Sequence, residues 1–86
     1  MRCMEKIASC EVSFIPIQTN DYISDVERVL EIIRASDLEH TVGLLSTAVR
    51  GEKSKVLGLI KDIYQTMDEV CSFTMDVKIS NICGCK

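Results

Sequence analysis

From Ala8 to Phe14 the chain alternates. Ala8, Cys10, Val12 and Phe14 are apolar, while Ser9, Glu11 and Ser13 between them are polar. A period of two puts each set on its own side of a pleated strand, so this segment predicts a strand with one buried face. Pro16 cannot donate to a ladder and belongs at a strand end, not in a sheet centre. Thr19-Asn20-Asp21 then supplies helix N-cap residues. From about Tyr22 to Ser36 the period changes: Tyr22, Val26, Val29, Leu30 and Ile33 recur at helical spacing, with Glu27, Arg28, Glu31 and Arg34 on the other side. Ser36-Asp37 ends this helix.

His40 to Leu44 and Thr47 to Glu52 predict two more strands, with Leu45-Ser46 as the turn and Gly51 closing the second. They are too close in sequence for a crossover and form an antiparallel hairpin. A second helix is expected from about Lys53 to Thr66, its apolar stripe being Val56, Leu59, Ile60, Ile63 and Met67. Gly58 inside it costs about 1 kcal/mol relative to Ala, and close approach of helix to sheet would be a reason for it. The last strand is Cys71 to Ile79, with Cys71, Phe73, Met75, Val77 and Ile79 on one face. Residues 80–86 carry no period and are expected to be weakly structured.

The order β-α-β-β-α-β, with one apolar stripe per helix, predicts an α+β sandwich of the ferredoxin-like type. It has a four-stranded antiparallel sheet, order 4-1-3-2, with both helices on one face. The other face carries Ser9, Glu11, Ser13, Thr74 and Asp76, polar enough to meet water or a second copy of the sheet.

Length sets the scale: 86 residues make one domain, which buries only about 60% of its unfolded surface and often gains core by self-association. The net charge of −3, with no basic run, argues against nucleic acid or an anionic membrane as partner. No segment approaches the roughly 20 apolar residues of a membrane span. Met1 to Lys6 lacks the apolar core of a signal peptide, so the expected compartment is the cytoplasm.

Five cysteines (Cys3, Cys10, Cys71, Cys83 and Cys85) are an odd number at irregular spacing, expected to be free thiols. Cys3, Cys83 and Cys85 with His40 would make a possible zinc set, but one Cys-x-Cys without a second pair is a weak signal. Cys10 and Cys71 read as core residues. His40, the lone histidine, has no nucleophile beside it in sequence. There is no glycine-rich phosphate loop and no constellation that marks an enzyme.

The fold expected here gathers three segments at one rim: Gln18 to Tyr22, the hairpin turn at Leu45 to Thr47, and Ser72 to Thr74 at the start of the last strand. Hydroxyls and amides there suit a neutral heterocycle flanked by apolar neighbours. They equally suit turns and caps that bond only their own backbone.

Several of these segments resemble the YkoF-type thiamine/hydroxymethylpyrimidine-binding family. The carriers are Cys10 to Thr19 (CEVSFIPIQT), Asp21-Tyr22, Ser36-Asp37-Leu38, Val42 to Gly51 (VGLLSTAVRG) and Val77 to Cys83 (VKISNIC), in order and at matching distances. The family pattern has a serine in the first strand, Pro-x-Gly-Thr at its end, Asp-Tyr opening the first helix, a Val-Gly-x-Met-Ser-Thr hairpin, and Ser-Asn-x-Cys closing the last strand. The resemblance implies a ferredoxin-like fold and a homo-oligomer, dimer or tetramer, assembled through sheets. It also implies non-catalytic binding of thiamine or its pyrimidine half, with no cofactor besides. By position it implies Ser13, Thr19, Asp21, Tyr22, Ser46 and Thr47 as ligand-binding residues, with Ser80 and Asn81 as further candidates. Tyr22 or Phe14 would stack on the ring, and Asp21 would favour a thiazolium cation. The chain departs from the pattern at Gln18, where glycine is usual, at Leu45 for methionine, and at Arg50 for an acidic residue. Gln18 would crowd the rim or add an amide to it. The alternative is a structural or regulatory interaction module that uses the same sheet without a ligand.

Overall fold

The computed structural model describes residues 6–18 and 20–81. Its elements are β1 (Ile7–Ile17), α1 (Tyr22–Ala35), β2 (Glu39–Val42), β3 (Thr47–Glu52), α2 (Lys53–Asp68) and β4 (Ser72–Ser80). They form one antiparallel sheet in the order β2-β3-β1-β4, the expected ferredoxin-like arrangement read from its other edge.

The alternation of β1 is what builds the core. Ala8, Cys10 and Val12 are buried on the helix side. Their register partners there are Gly51, Val49 and Thr47 of β3, and Cys10 and Val12 face Ile79 and Val77 of β4. Val29 and Ile33 of α1 and Val56, Leu59, Ile63 and Met67 of α2 close the core from above. The opposite face pairs Ser9 with Ser80, Glu11 with Lys78 and Ser13 with Asp76, the polar surface that the pattern predicts.

Three details differ from expectation. First, β1 runs through Pro16 to Ile17 instead of ending at Phe14. Pairing with β3 stops at Val12–Thr47, whereas pairing with β4 continues to Ile17–Ser72. Pro16 thus sits where β1 has a single neighbour, which is how a residue without an N–H is accommodated in a strand. Second, β2 ends at Val42, so the turn is made by Leu44-Leu45 and not by Leu45-Ser46. The Gly43 N–H donates to the Ser46 carbonyl at 2.8 Å, closing the loop one residue earlier. Third, Gly58 has open space where a Cβ would stand, so close helix–sheet approach is not its reason. The glycine that does mark a close approach is Gly51, where a Cβ would lie 2.5 Å from Cδ2 of the buried Leu38.

The two helices start differently. Asp21 caps α1, its Oδ1 accepting the Ser24 N–H at 3.0 Å. Glu52 stands at the cap position of α2 without capping through its side chain, its Oε1 accepting instead from the Ser54 hydroxyl at 2.9 Å.

Candidate functional site

A groove of about 440 Å³ opens between α1 and the β2–β3 hairpin. Its floor is residues 12–15 of β1, one wall is the face of α1 from Tyr22 to Ile33, and the other is residues 42–47 of the hairpin. The volume lies within the roughly 300–1,000 Å³ of small-molecule clefts.

Four of the six positions implied by the resemblance line this groove: Ser13, Tyr22, Ser46 and Thr47. They arrive from three separate elements, and each is placed for a local reason. Thr47 opens β3 opposite Val12 and is buried. Ser46 closes the hairpin loop through its carbonyl. Tyr22 is the first residue of α1, 54% exposed at the groove's mouth. The Ser13 hydroxyl donates to the Leu45 carbonyl at 3.0 Å. That bond ties the hairpin tip to β1 and leaves the Ser13 oxygen as an acceptor only, narrower chemistry than the donor-and-acceptor part expected of it.

The remaining candidates are placed elsewhere. Asp21 spends a carboxylate oxygen on the α1 cap and does not line the groove. Thr19 lies outside the described residues. Ser80 sits across from Ser9, and both line a 340 Å³ depression on the outer face of the sheet, among Glu11, Arg50 and Lys78. Asn81 follows β4 outside regular structure. Ser72 to Thr74, expected at the same rim, do not line the groove either. Their partners are Ile17, Pro16 and Ile15, so β1 stands between them and the hairpin.

Sequence reasoning missed the walls. Val26 and Leu30 belong to the α1 stripe and read as core, yet they are half-buried and line the groove. A stripe at helical spacing marks a face that leaves water without saying whether protein or ligand covers it. Gly43 was also missed as a site residue. A Cβ there would stand 2.9 Å from the Ser46 carbonyl oxygen, so only glycine lets the loop close at this place. The cue was present in the Val-Gly start of the hairpin segment.

Of the two rings proposed to stack on a ligand, Phe14 already packs on Phe73, centroids 4.9 Å apart, and Phe73 meets Tyr64 edge-on at 5.4 Å. Tyr22, projecting at the mouth, is the better placed. Gln18 is exposed and does not line the groove. It adopts φ 53°, the left-handed conformation that glycine enters freely, which accounts for glycine being usual there.

The thiols and the histidine point away from reactivity. Burial pushes the Cys10 thiol up from its ordinary value. Cys71 is also raised, by burial and then by the Asp25 carboxylate, to which it hydrogen-bonds. Both cysteines are free. His40 Nδ1 lies 3.0 Å from the Leu38 carbonyl, and because a carbonyl only accepts, the proton is on Nδ1. Among the described residues no group of three or more His, Cys, Asp or Glu is placed to hold a metal. Cys3, Cys83 and Cys85 of the possible zinc set lie outside those residues. No helix among the described residues is long and apolar enough to cross a membrane.

Comparisons with known proteins agree with this architecture. A candidate thiamine biosynthesis or salvage protein of Thermotoga maritima superposes with a TM-score of 0.77 at 17% identity, covering 86% of this chain and 82% of that one. A domain of unknown function from Bacillus cereus superposes at 0.80 and 22%, covering 98% and 84%. A hypothetical protein of Methanocaldococcus jannascii gives 0.74 and 23%, covering 87% and 79%. At these identities the likeness is one of fold. No curated protein matches. The family model for thiamine-binding proteins, however, matches residues 10–82, a span that takes in most of β1, both helices, the hairpin and β4, and on that match the chain belongs to the thiamine-binding protein family.

Proposed function

We propose that this protein binds thiamine or its hydroxymethylpyrimidine moiety, without chemical turnover, in the groove between α1 and the hairpin. The observation that carries the reading is the convergence of Ser13, Tyr22, Ser46 and Thr47, from three elements, on one apolar-walled groove. An aminopyrimidine presents ring nitrogens that accept and an amino group that donates. Hydroxyls at 46 and 47 serve either kind, and the Ser13 oxygen accepts from the amino group. Tyr22 supplies a ring face at the mouth. Family membership supports the ligand class.

Self-association belongs to the same reading. Ile15, Ile17, Val42, Leu44 and Leu45 leave 42–103% of their surfaces exposed around the groove and the hairpin tip, a concentration of apolar surface of the kind that marks interaction sites. Light scattering on the purified protein reports whether dimers or tetramers form.

Calorimetric titration of the reduced full chain with thiamine, and separately with hydroxymethylpyrimidine, tests the binding. Saturable heat near one ligand per chain, with ligand recovered unchanged, is the expected result. Thr47→Val keeps shape and removes the hydroxyl, and it should weaken binding about tenfold, the loss of roughly one hydrogen bond, with the unfolding midpoint little moved. Undiminished affinity in this variant would remove Thr47 from the site. No heat with either ligand would favour a ligand-free interaction module.

A further inference from the structure

The charge pattern around the groove narrows the ligand class within the binding reading above, on which this inference rests. Among the described residues, no lining side chain is charged. The segments that build the groove extend this bias. Residues 12–15 of β1 and 42–47 of the hairpin contain no lysine or arginine, Arg28 being the cation within the α1 wall, and Asp21 stands next to the groove-lining Tyr22. The positive feature at the mouth is the N-terminus of α1, where backbone N–H groups point outward. It is already neutralised, because Asp21 accepts from Ser24 there and Asp25 lies buried in the first turn.

We infer that the groove selects unphosphorylated ligands and rejects their phosphate esters. A neutral ring loses little on entering apolar walls. A phosphate brings up to two negative charges that need cationic or N–H partners, which the lining side chains lack, and at the mouth it would meet the Asp21 carboxylate at the start of α1. The discrimination comes from the missing cationic partners, added to by the Asp21 carboxylate beside Tyr22. A protein with this preference handles the vitamin or its precursor before a kinase acts on it, or after a phosphatase has.

The test is calorimetric titration of the full chain with two matched pairs: thiamine and thiamine monophosphate, hydroxymethylpyrimidine and its phosphate. In each pair the unphosphorylated member should bind on the order of tenfold tighter or more, and the gap should shrink at high salt as the repulsion is screened. Leu44→Arg places a cation on a side chain that is fully exposed at the hairpin tip and should narrow the gap by strengthening ester binding. Equal or tighter binding of the esters overturns the inference while leaving the binding reading intact. A gap that neither salt nor Leu44→Arg moves is steric and overturns it as well. Absence of binding by all four compounds overturns the underlying reading itself.

Discussion

Gln18 shows how one residue departs from a pattern at a measurable cost. Its φ of 53° places a Cβ against the following backbone, which costs a non-glycine residue about 1 kcal/mol. Gln18→Gly should therefore raise the unfolding free energy measured in urea by up to that amount, less the extra entropy glycine gives the unfolded chain, and so move the midpoint upward. A lower midpoint would mean that the Gln18 side chain stabilises the turn. The buried thiols make a second prediction. Folding raises both Cys10 and Cys71 above the ordinary 9.0, so the folded state holds these protons more tightly than the unfolded one. Their contribution is intact below pH 9.0 and is lost as pH rises from there through the folded-state values. Denaturation of the wild type from about pH 8 to about pH 10 should show a steeper fall in stability than the Cys10→Ala, Cys71→Ala double variant. Parallel curves would count against the shifts. Neither effect was readable in advance, because a left-handed φ and a burial penalty both depend on neighbours.

At the scale of elements, two glycines of similar appearance in the sequence carry opposite expectations. Gly58 lies within α2 with nothing near its missing Cβ, so Gly58→Ala should stabilise by about 1 kcal/mol through helix propensity. Gly51, the second-last residue of β3, lies under the Leu38 side chain, and Gly51→Ala should destabilise by about 1–3 kcal/mol because Leu38 has to move within a packed region. Thermal unfolding of the two variants side by side decides, and a shift of the same sign in both would refute the packing account. Element type and order were legible: β3 and the start of α2 fall where periodicity puts them, and α1 where periodicity and its cap segment put it. The hairpin turn was off by one residue because Gly43 and Ser46 pair across it, a contact that residue preferences do not encode. The Ser13–Leu45 bond spans 32 positions and is likewise a product of sheet register.

For the whole molecule, one layer of helix on one sheet leaves a small core in which Ile33, Ile63, Met67, Val49 and Val56 are the most completely buried side chains. A chain of this size has a stability of about 0.05–0.15 kcal/mol per residue, so individual core positions weigh heavily. Ile63→Ala should cost about 2–5 kcal/mol, enough to leave a substantial unfolded fraction at 37 °C by circular dichroism. A cost below about 1 kcal/mol would mean that α2 relaxes into the space. The groove lies at the edge of this core, where α1 and the hairpin diverge and Val26 and Leu30 are only half-buried. Site and core therefore share one helix.

The ferredoxin-like order of elements, the buried face of β1, the segment that caps α1, and the set of small polar residues worth considering are all legible in the chain itself. Those properties arise from period, propensity and short-range bonding, which act over a few residues. Which of those residues meet depends on the folded arrangement. It brought Ser13, Tyr22, Ser46 and Thr47 to one groove, gave Asp21 to a helix cap, and sent Ser80 to the far face. The reason is register: the pairing of β1 with β3 and β4 fixes which end of each strand faces which loop, and that is settled by the packing of both helices on the sheet.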